Sequence, residues 1–352
     1  MTADPSLLSL ATALPPYRLA QEEVALTARA VFAETGSEIE RLLPVYANSG
    51  IECRYSCVPR DWYHRPASWK TRNRLYIENA LDLIEKAARD GLAQAGLPAE
   101  AVDTLVTVST TGIATPSLDA RLMERLPFRR DLQRLPVFGL GCAGGVLGLA
   151  RAAALSRAAP GSLVLVLVVE LCGLTFRAQD MGRSNIIATA LFGDGAAAAL
   201  ITCDKSAEGP RLSGWGEHTW PGSLDVMGWR IEDDGFGVLF SRDIPAILRA
   251  EFGAAVDAFL GSQGLTRKDL AGTVCHPGGA KVIETLEQVL GYAPGAMTDA
   301  RAVLRDYGNM SAASVLFVLD RVLRGRPRGR YLMTALGPGF TAAFLLLEAG
   351  GR

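Results

Sequence analysis

The sequence predicts an α/β protein built from two related halves packed into one body. Three observations predict it. Short apolar strands alternate with helices along the chain. Two pieces are duplicated: LFGDGAAAALI (191–201) resembles ALGPGFTAAFL (335–345), and TVSTTG (107–112) resembles TVCHPGG (273–279). Repeats on this scale point to two related halves, taken as residues 1–210 and 211–352. Finally, each half holds a helix that is apolar on nearly every face, which marks it as buried between layers rather than lying on a surface.

The elements follow in order. Residues 74–96 have helical apolar spacing and stop at Gly96 with Pro98 beyond. TLVTVST (104–110) is a β-branched strand, and SLDARLMERL (117–126) restarts a helix with Ser117 as its N-cap. PVFGLG (136–141) is a short strand, and residues 143–159 form the first buried helix, ended by Pro160-Gly161. SLVLVLVVEL (162–171) is a continuous apolar run, as a strand covered on both faces requires, and AAAALIT (196–202) is another. In the second half GTVCH (272–276) is a strand, AKVIETLEQVL (280–290) a helix and 310–323 the second buried helix, followed by strands at 330–336 and 340–348. Residues 203–240, with three tryptophans, read as loop: either part of a substrate cavity or a surface meander.

The bulk numbers exclude several classes. At 352 residues the chain has ample core for two domains or one large two-part domain. It is 49% hydrophobic and 21% charged, ordinary for a globular protein. A formal net charge of −1 gives no basis for a nucleic-acid partner. The N-terminus carries Asp4 and no basic segment, so it does not read as a signal peptide. The longest apolar run, LVLVLVV (163–169), is too short to span a membrane. Six cysteines lack CxxC spacing, which fits reduced thiols in the cytoplasm. Cys53 and Cys57 have only His64 nearby and no second ligand pair, so no metal site is expected.

Three polar residues are expected at strand-to-helix turns, where α/β sheets place their sites: Cys142, His276 and Asn309. Cys142 reads either as a small buried hydrophobe or as a nucleophile. A helix N-terminus stabilises a thiolate, so its pKa is expected to fall, and a nearby imidazolium would lower it further. Gly141, Gly144 and Gly145 allow a tight turn and let a carbonyl substrate approach the backbone. His276 reads as a satisfied buried histidine or as one exposed by the sharp turn at Pro277-Gly278-Gly279. Asn309 reads as an N-cap for the helix that follows, or as an uncharged donor able to hold an enolate oxygen.

GCAGG around Cys142, CHPGG around His276, YGNMSAAS around Asn309, LFGDGAAA at 191–198 and GPGFT at 337–341 resemble the type III polyketide synthases, the chalcone and stilbene synthase superfamily. The match runs from about residue 50 to 348, and the five motifs in order are highly specific. The resemblance implies a thiolase-type, five-layered αβαβα fold, a homodimer and direct use of CoA thioesters, with no metal or redox cofactor. It implies that Cys142 takes the starter acyl group and that His276 holds its thiolate as an ion pair. His276 and Asn309 then bind the thioester carbonyl of malonyl-CoA while it loses CO2, and the resulting carbanion attacks the Cys142 thioester.

The resemblance also makes Phe192 and Phe240 gatekeepers between a CoA tunnel and the cavity, places Thr110, Cys172 and Thr175 on the cavity wall, and puts Arg54 on the CoA phosphates. The corresponding bland roles are core aromatics, an inert thiol and a solvated arginine. The plant motif GFGPG reads here as Ala335-Leu336-Gly337-Pro338-Gly339. With Cys172 where plant enzymes carry threonine, this favours a bacterial-type member. A fatty acyl-CoA starter giving alkylpyrones or alkylresorcinols is the first choice. A malonyl-only enzyme giving tetrahydroxynaphthalene or phloroglucinol is the second. A ketoacyl-carrier-protein synthase III and an inactive scaffold of the same fold are the remaining alternatives.

Overall fold

The chain begins with β1 (Ser6–Ala13), β2 (Tyr17–Ala20), α1 (Gln21–Val31), α2 (Ser37–Leu42), α3 (Pro44–Ala47) and β3 (Cys53–Ser56). There follow α4 (Trp69–Ala95), β4 (Thr104–Val108), α5 (Leu118–Leu122), β5 (Gln133–Val137), α6 (Gly144–Ala158), β6 (Leu163–Leu171), α7 (Arg183–Leu191) and β7 (Asp194–Thr202). The second half holds β8 (Arg211–Thr219), β9 (Met227–Glu232), β10 (Gly235–Phe240), α8 (Ile244–Ile247), α9 (Gly253–Ser262) and β11 (Gly272–Cys275). It ends with α10 (Ala280–Leu290), α11 (Thr298–Tyr307), α12 (Ser314–Arg324), β12 (Gly329–Gly337) and β13 (Thr341–Ala349). This computed structural model describes residues 4–33 and 37–350.

Among the described residues, nine strands form one sheet in the order β11-β12-β13-β8-β1-β7-β6-β4-β5. The sheet has two halves that meet at a single residue pair, Ser6 with Arg211. In the first half β4 and β5 run parallel, β4 and β6 run parallel, and β7 turns back antiparallel to pair with β1. The second half repeats this arrangement with β11, β12, β13 and β8. The duplicated pieces therefore occupy equivalent places: β4 matches β11, and β7 matches β13. No strand in the second half stands where β5 stands in the first.

Periodicity explains the layers. In β6 the odd residues Leu163, Leu165, Leu167, Val169 and Leu171 pack outward with α4. The even residues Val164, Val166 and Val168 face the central core with α6. Both faces are apolar because both are covered. α6 packs on β4, β6 and β7 on one side and on β12 and β13 on the other, and α12 packs beside it. On the far side α9 covers β13, with Phe259 stacked on Phe344 at 5.1 Å. The apolar N-terminal parts of the two helices thus form the central layer, while Asp320, Arg321 and Arg324 carry the end of α12 to the surface.

Several expectations need correction. Residues 203–240 are not loop: they hold β8, β9 and β10. Glycines and polar side chains along a mostly half-buried two-stranded ribbon hid the strand pattern there. The first central helix starts at Gly144, one residue after the expected 143, and the second starts one turn late at Ser314; each follows a 3₁₀ turn, Gly141–Ala143 and Ser311–Ala313. Asn309 follows α11, not a strand, and makes only an isolated bridge to Phe192. Ser117 makes no capping hydrogen bond to the start of α5, and its hydroxyl donates to Asp119 instead. The stop at Gly96 is a left-handed C-cap, φ 65°, where glycine is the cheapest residue. No helix among the described residues is long and apolar enough to cross a membrane.

Candidate active site

Three chain segments deliver their side chains to one cavity of about 840 Å³ of empty space. The 3₁₀ turn after β5 brings Cys142, the end of β11 brings His276, and the turn between α11 and α12 brings Asn309. All three line the cavity, together with Thr110, Cys172, Phe192 and Phe240. Most of the other lining residues are apolar, Val282, Leu286, Phe252 and Pro338 among them.

The turn at Cys142 depends on its glycines for reasons of packing. Gly141 has φ 47°, and a Cβ there would stand 2.6 Å from Cδ of Pro338. A Cβ on Gly145 would overlap the carbonyl oxygen of Ala312. Gly145 therefore lets α6 press against the turn that carries Asn309, which corrects the expectation that it serves substrate approach.

Asn309 is fixed on all sides. Its N–H donates to the Leu191 carbonyl (2.8 Å) and its own carbonyl accepts from Gly193 (2.9 Å). Its side-chain Oδ1 accepts from the Ser311 N–H (2.8 Å), and Nδ2 donates to the Gly278 carbonyl (3.2 Å). Asn309 does not cap α12, which starts after Ala313, and beyond its bond to Gly278 its Nδ2 carries a second N–H available to a ligand. His276 continues the β11 ladder by donating its N–H to the Thr334 carbonyl (2.9 Å). Its ring is buried, and neither ring nitrogen has a protein partner among the described residues. A buried imidazole without partners is costly unless a ligand supplies them.

Burial acts on both titrating groups. It pushes the Cys142 thiol up to about 12, opposed by hydrogen bonds from Ser311 and Asn309 and reinforced by the charge of Glu170. Burial likewise pulls His276 down to about 3. The expected fall in the thiol pKa from the helix terminus alone is thus corrected: desolvation outweighs it. A thiolate in this cavity needs an imidazolium beside it, each charge formed together with its partner.

Sequence reasoning missed three residues of the site. Glu170 is fully buried at the end of β6, where it accepts from the Thr110 N–H (3.0 Å) and from the Ser311 hydroxyl (3.4 Å). Burial raises its pKa to about 7. Its signal was visible as a lone carboxylate in an apolar strand. Ser311 lies in the quoted YGNMSAAS motif, at φ 48°. Trp229 lines the cavity from the ribbon taken for loop, donating its indole N–H to the Thr110 carbonyl (2.9 Å) and meeting Phe192 edge-on.

The remaining expected residues lie elsewhere. Thr175 does not line the catalytic cavity; its hydroxyl donates to the Cys172 carbonyl (2.8 Å). Arg54 is buried, and its guanidinium donates to the carbonyls of Thr189 (2.7 Å), Phe192 (2.8 Å) and Ala190 (2.7 Å) and to Gln21. Held this way it ties β3 to α7, with both terminal nitrogens on protein acceptors and the buried Nε without a partner among the described residues, and it does not stand as a solvent-facing contact for a CoA phosphate as expected. Asp194 of the LFGDG motif is also structural: its carboxylate accepts from Gly173 (2.7 Å) and Cys57 (2.9 Å) and so fixes the turn at Cys172.

Residues 3–205 match the family of chalcone and stilbene synthases, N-terminal domain, and residues 216–349 match its C-terminal domain. The chain is 40% identical to a putative chalcone synthase of Bacillus subtilis, over 97% of this chain and 98% of that protein. It is 37% identical to 1,3,6,8-tetrahydroxynaphthalene synthase of Streptomyces peucetius, over 97% of this chain and 93% of that one. The crystal structure of 1,3,6,8-tetrahydroxynaphthalene synthase from Streptomyces coelicolor, a bacterial type III polyketide synthase, superposes with a TM-score of 0.93 at 27% identity, covering 99% of this chain and all of that one. The two repeated halves around α6 and α12 are the thiolase-like fold of these acyl-transferring enzymes, and the chain belongs to the chalcone and stilbene synthase family, the type III polyketide synthases.

Proposed function

We propose that the chain condenses malonyl-CoA onto an acyl group carried by Cys142. The observation that carries this is the convergence of Cys142, His276 and Asn309 in one apolar cavity, with Asn309 immobilised and the His276 ring left without protein partners. The Cys142 thiolate attacks the carbonyl of an acyl-CoA, the CoA thiolate leaves, and it takes the proton from His276. The donors of His276 and Asn309 then hold the thioester oxygen of malonyl-CoA. As the carboxyl carbon leaves as CO2, the bonding pair collects on that oxygen as an enolate. The enolate carbon attacks the Cys142 thioester and the thiolate is released. The chemistry uses CoA thioesters as substrates and calls on no metal or redox cofactor.

The ion pair has its own test. In His276→Ala, burial leaves the thiol without a counter-ion, so iodoacetamide labelling of Cys142 at pH 7 is expected to fall more than about tenfold and to climb steeply towards pH 9. The wild-type rate is expected to stay nearly flat over that range. A wild-type profile as steep as the variant's would refute the pair.

The preferred starter is a fatty acyl-CoA, giving alkylpyrones or alkylresorcinols. A second cavity, of about 690 Å³ of empty space, shares Cys172, Phe192 and Val238 as walls with the first and runs on between Ala28, Val31 and Phe176. That is apolar room for an alkyl chain. The second reading, a malonyl-only starter, is favoured by the tetrahydroxynaphthalene synthase relative. Mass spectrometry of products from malonyl-CoA, alone and with acyl-CoA starters of increasing length, separates them. Long-chain products are expected from the mixtures; aromatic product from malonyl-CoA alone, unchanged by added starter, would overturn the fatty acyl reading.

The edge strand β5 supports a homodimer. It pairs only with β4, and Leu135, Phe138 and Ile113 nearby are exposed. Unpaired apolar strand edges are normally covered. Light scattering is expected to give twice the chain mass of 37.4 kDa, and Leu135→Lys to weaken the assembly; a monomeric wild type would contradict it.

A further inference from the structure

The two halves of the sheet diverge on the side away from the catalytic cavity. β1 and β8 pair in register at Ser6 and Arg211 alone among the described residues, with Leu7 N–H donating to the Pro210 carbonyl (2.9 Å) beside them, and an open groove lies against this junction. It lies at the C-terminal end of α12, about 16 Å along the helix from the turn that carries Asn309.

Five basic side chains line this groove: Lys205, Arg211, Arg324, Arg326 and Arg328. The lining carboxylates are Glu208 and Asp320, and Asp320 is already paired with Arg324 at 2.7 Å. Among the described residues, Lys205, Arg211, Arg326 and Arg328 have no ion-pair partner. Neighbouring arginines outside the groove do: Arg330 pairs with Glu348 (2.6 Å) and Arg321 with Asp299 (3.5 Å). Four cations without an ion-pair partner thus share one concavity. The backbone adds a second observation. Arg326 has φ 50°, the left-handed region that glycine occupies most cheaply, and Pro327 stiffens the residue after it. This is the left-handed end of a helix, with the Arg326 N–H donating to the Leu323 carbonyl (3.0 Å), and it places Arg326 beside three other unpaired cations. Leu7, Leu8, Leu10 and Leu323 also border the groove, within a lining that exposes more polar than apolar surface.

We infer that this groove binds an organic phosphate, an anion carrying two or more phosphate groups on a flat or apolar body. The guanidinium groups match phosphate oxygens in pairs, and the leucine wall accommodates the uncharged part. The concave shape suits a free small molecule better than a flat bilayer of anionic headgroups. The site is separate from the thiol chemistry at Cys142 and does not rest on it.

Isothermal titration with ATP, and separately with pyrophosphate, tests the assignment on the full chain at low ionic strength. Saturable ATP binding with a Kd below about 1 mM is expected. Arg326→Ala/Arg328→Ala is expected to weaken it at least about tenfold, because two charge-assisted contacts are lost. The variant should keep the wild-type melting temperature and its turnover of malonyl-CoA in the absence of ATP. No saturable ATP binding, or equal binding by the double variant, would overturn the site. Co-sedimentation with phosphatidylserine vesicles in the absence of any ATP binding would also overturn it and assign the groove to a membrane surface.

Discussion

Cys142→Ala is expected to abolish chain elongation by at least about four orders of magnitude while malonyl-CoA still loses CO2. The two outcomes separate because different groups carry the two steps. Acyl loading needs the sulfur, and no other nucleophile takes its place: Cys172 also lines the cavity, but burial raises its thiol well above the usual range and Glu170 opposes the thiolate further. Enolate formation needs only donors at the thioester oxygen, which His276 and Asn309 supply. The measurement is product by mass spectrometry alongside acetyl-CoA formed from malonyl-CoA. Elongated product at more than about one part in a thousand of the wild-type level would mean that another group carries the acyl chain.

Asn309→Ala is expected to lower malonyl-CoA decarboxylation by about 10²–10³, the usual cost of removing one donor from an oxyanion site. The substitution also removes two structural hydrogen bonds, to Ser311 and Gly278, so a simple loss of order would mimic the effect. Two further readouts separate these causes. Acyl loading of Cys142 should survive, since it does not depend on the enolate, and the melting temperature should fall by only a few degrees. Asn309→Asp keeps the bond to Ser311 but places a carboxylate where negative charge develops, so it should be as inactive as the alanine variant. Unchanged decarboxylation in either variant refutes the donor role.

Legibility in the sequence followed the physics of each element. The central strands and helices were readable because burial on both faces leaves mostly apolar residues, as in β6, where Glu170 is the exception, and the first half of α6. Gly96 was readable as a stop because its conformation all but demands glycine. The candidate residues Cys142, His276 and Asn309 were readable as polar groups at turns inside glycine-bearing motifs. The ribbon of β9 and β10 was not, since most of it is only half-buried and its glycines and charges break the alternation. Trp229 was lost with it. Arg54 was misread because an arginine in sequence carries no sign of burial; only the carbonyls of Thr189, Ala190 and Phe192 around it disclose a structural role. The rise in the Cys142 pKa was also invisible, because helix-terminus effects can be read from a motif and desolvation cannot.

The central claim is that Cys142 carries the growing chain in a cavity shaped by His276 and Asn309. It is tested most directly by peptide mass spectrometry of the protein quenched shortly after mixing with a long-chain acyl-CoA. The expected result is one thioester adduct, of the acyl mass, on the peptide containing Cys142, absent when malonyl-CoA is added to discharge it. An adduct on the peptide containing Cys172, or no covalent adduct at all, would contradict the claim.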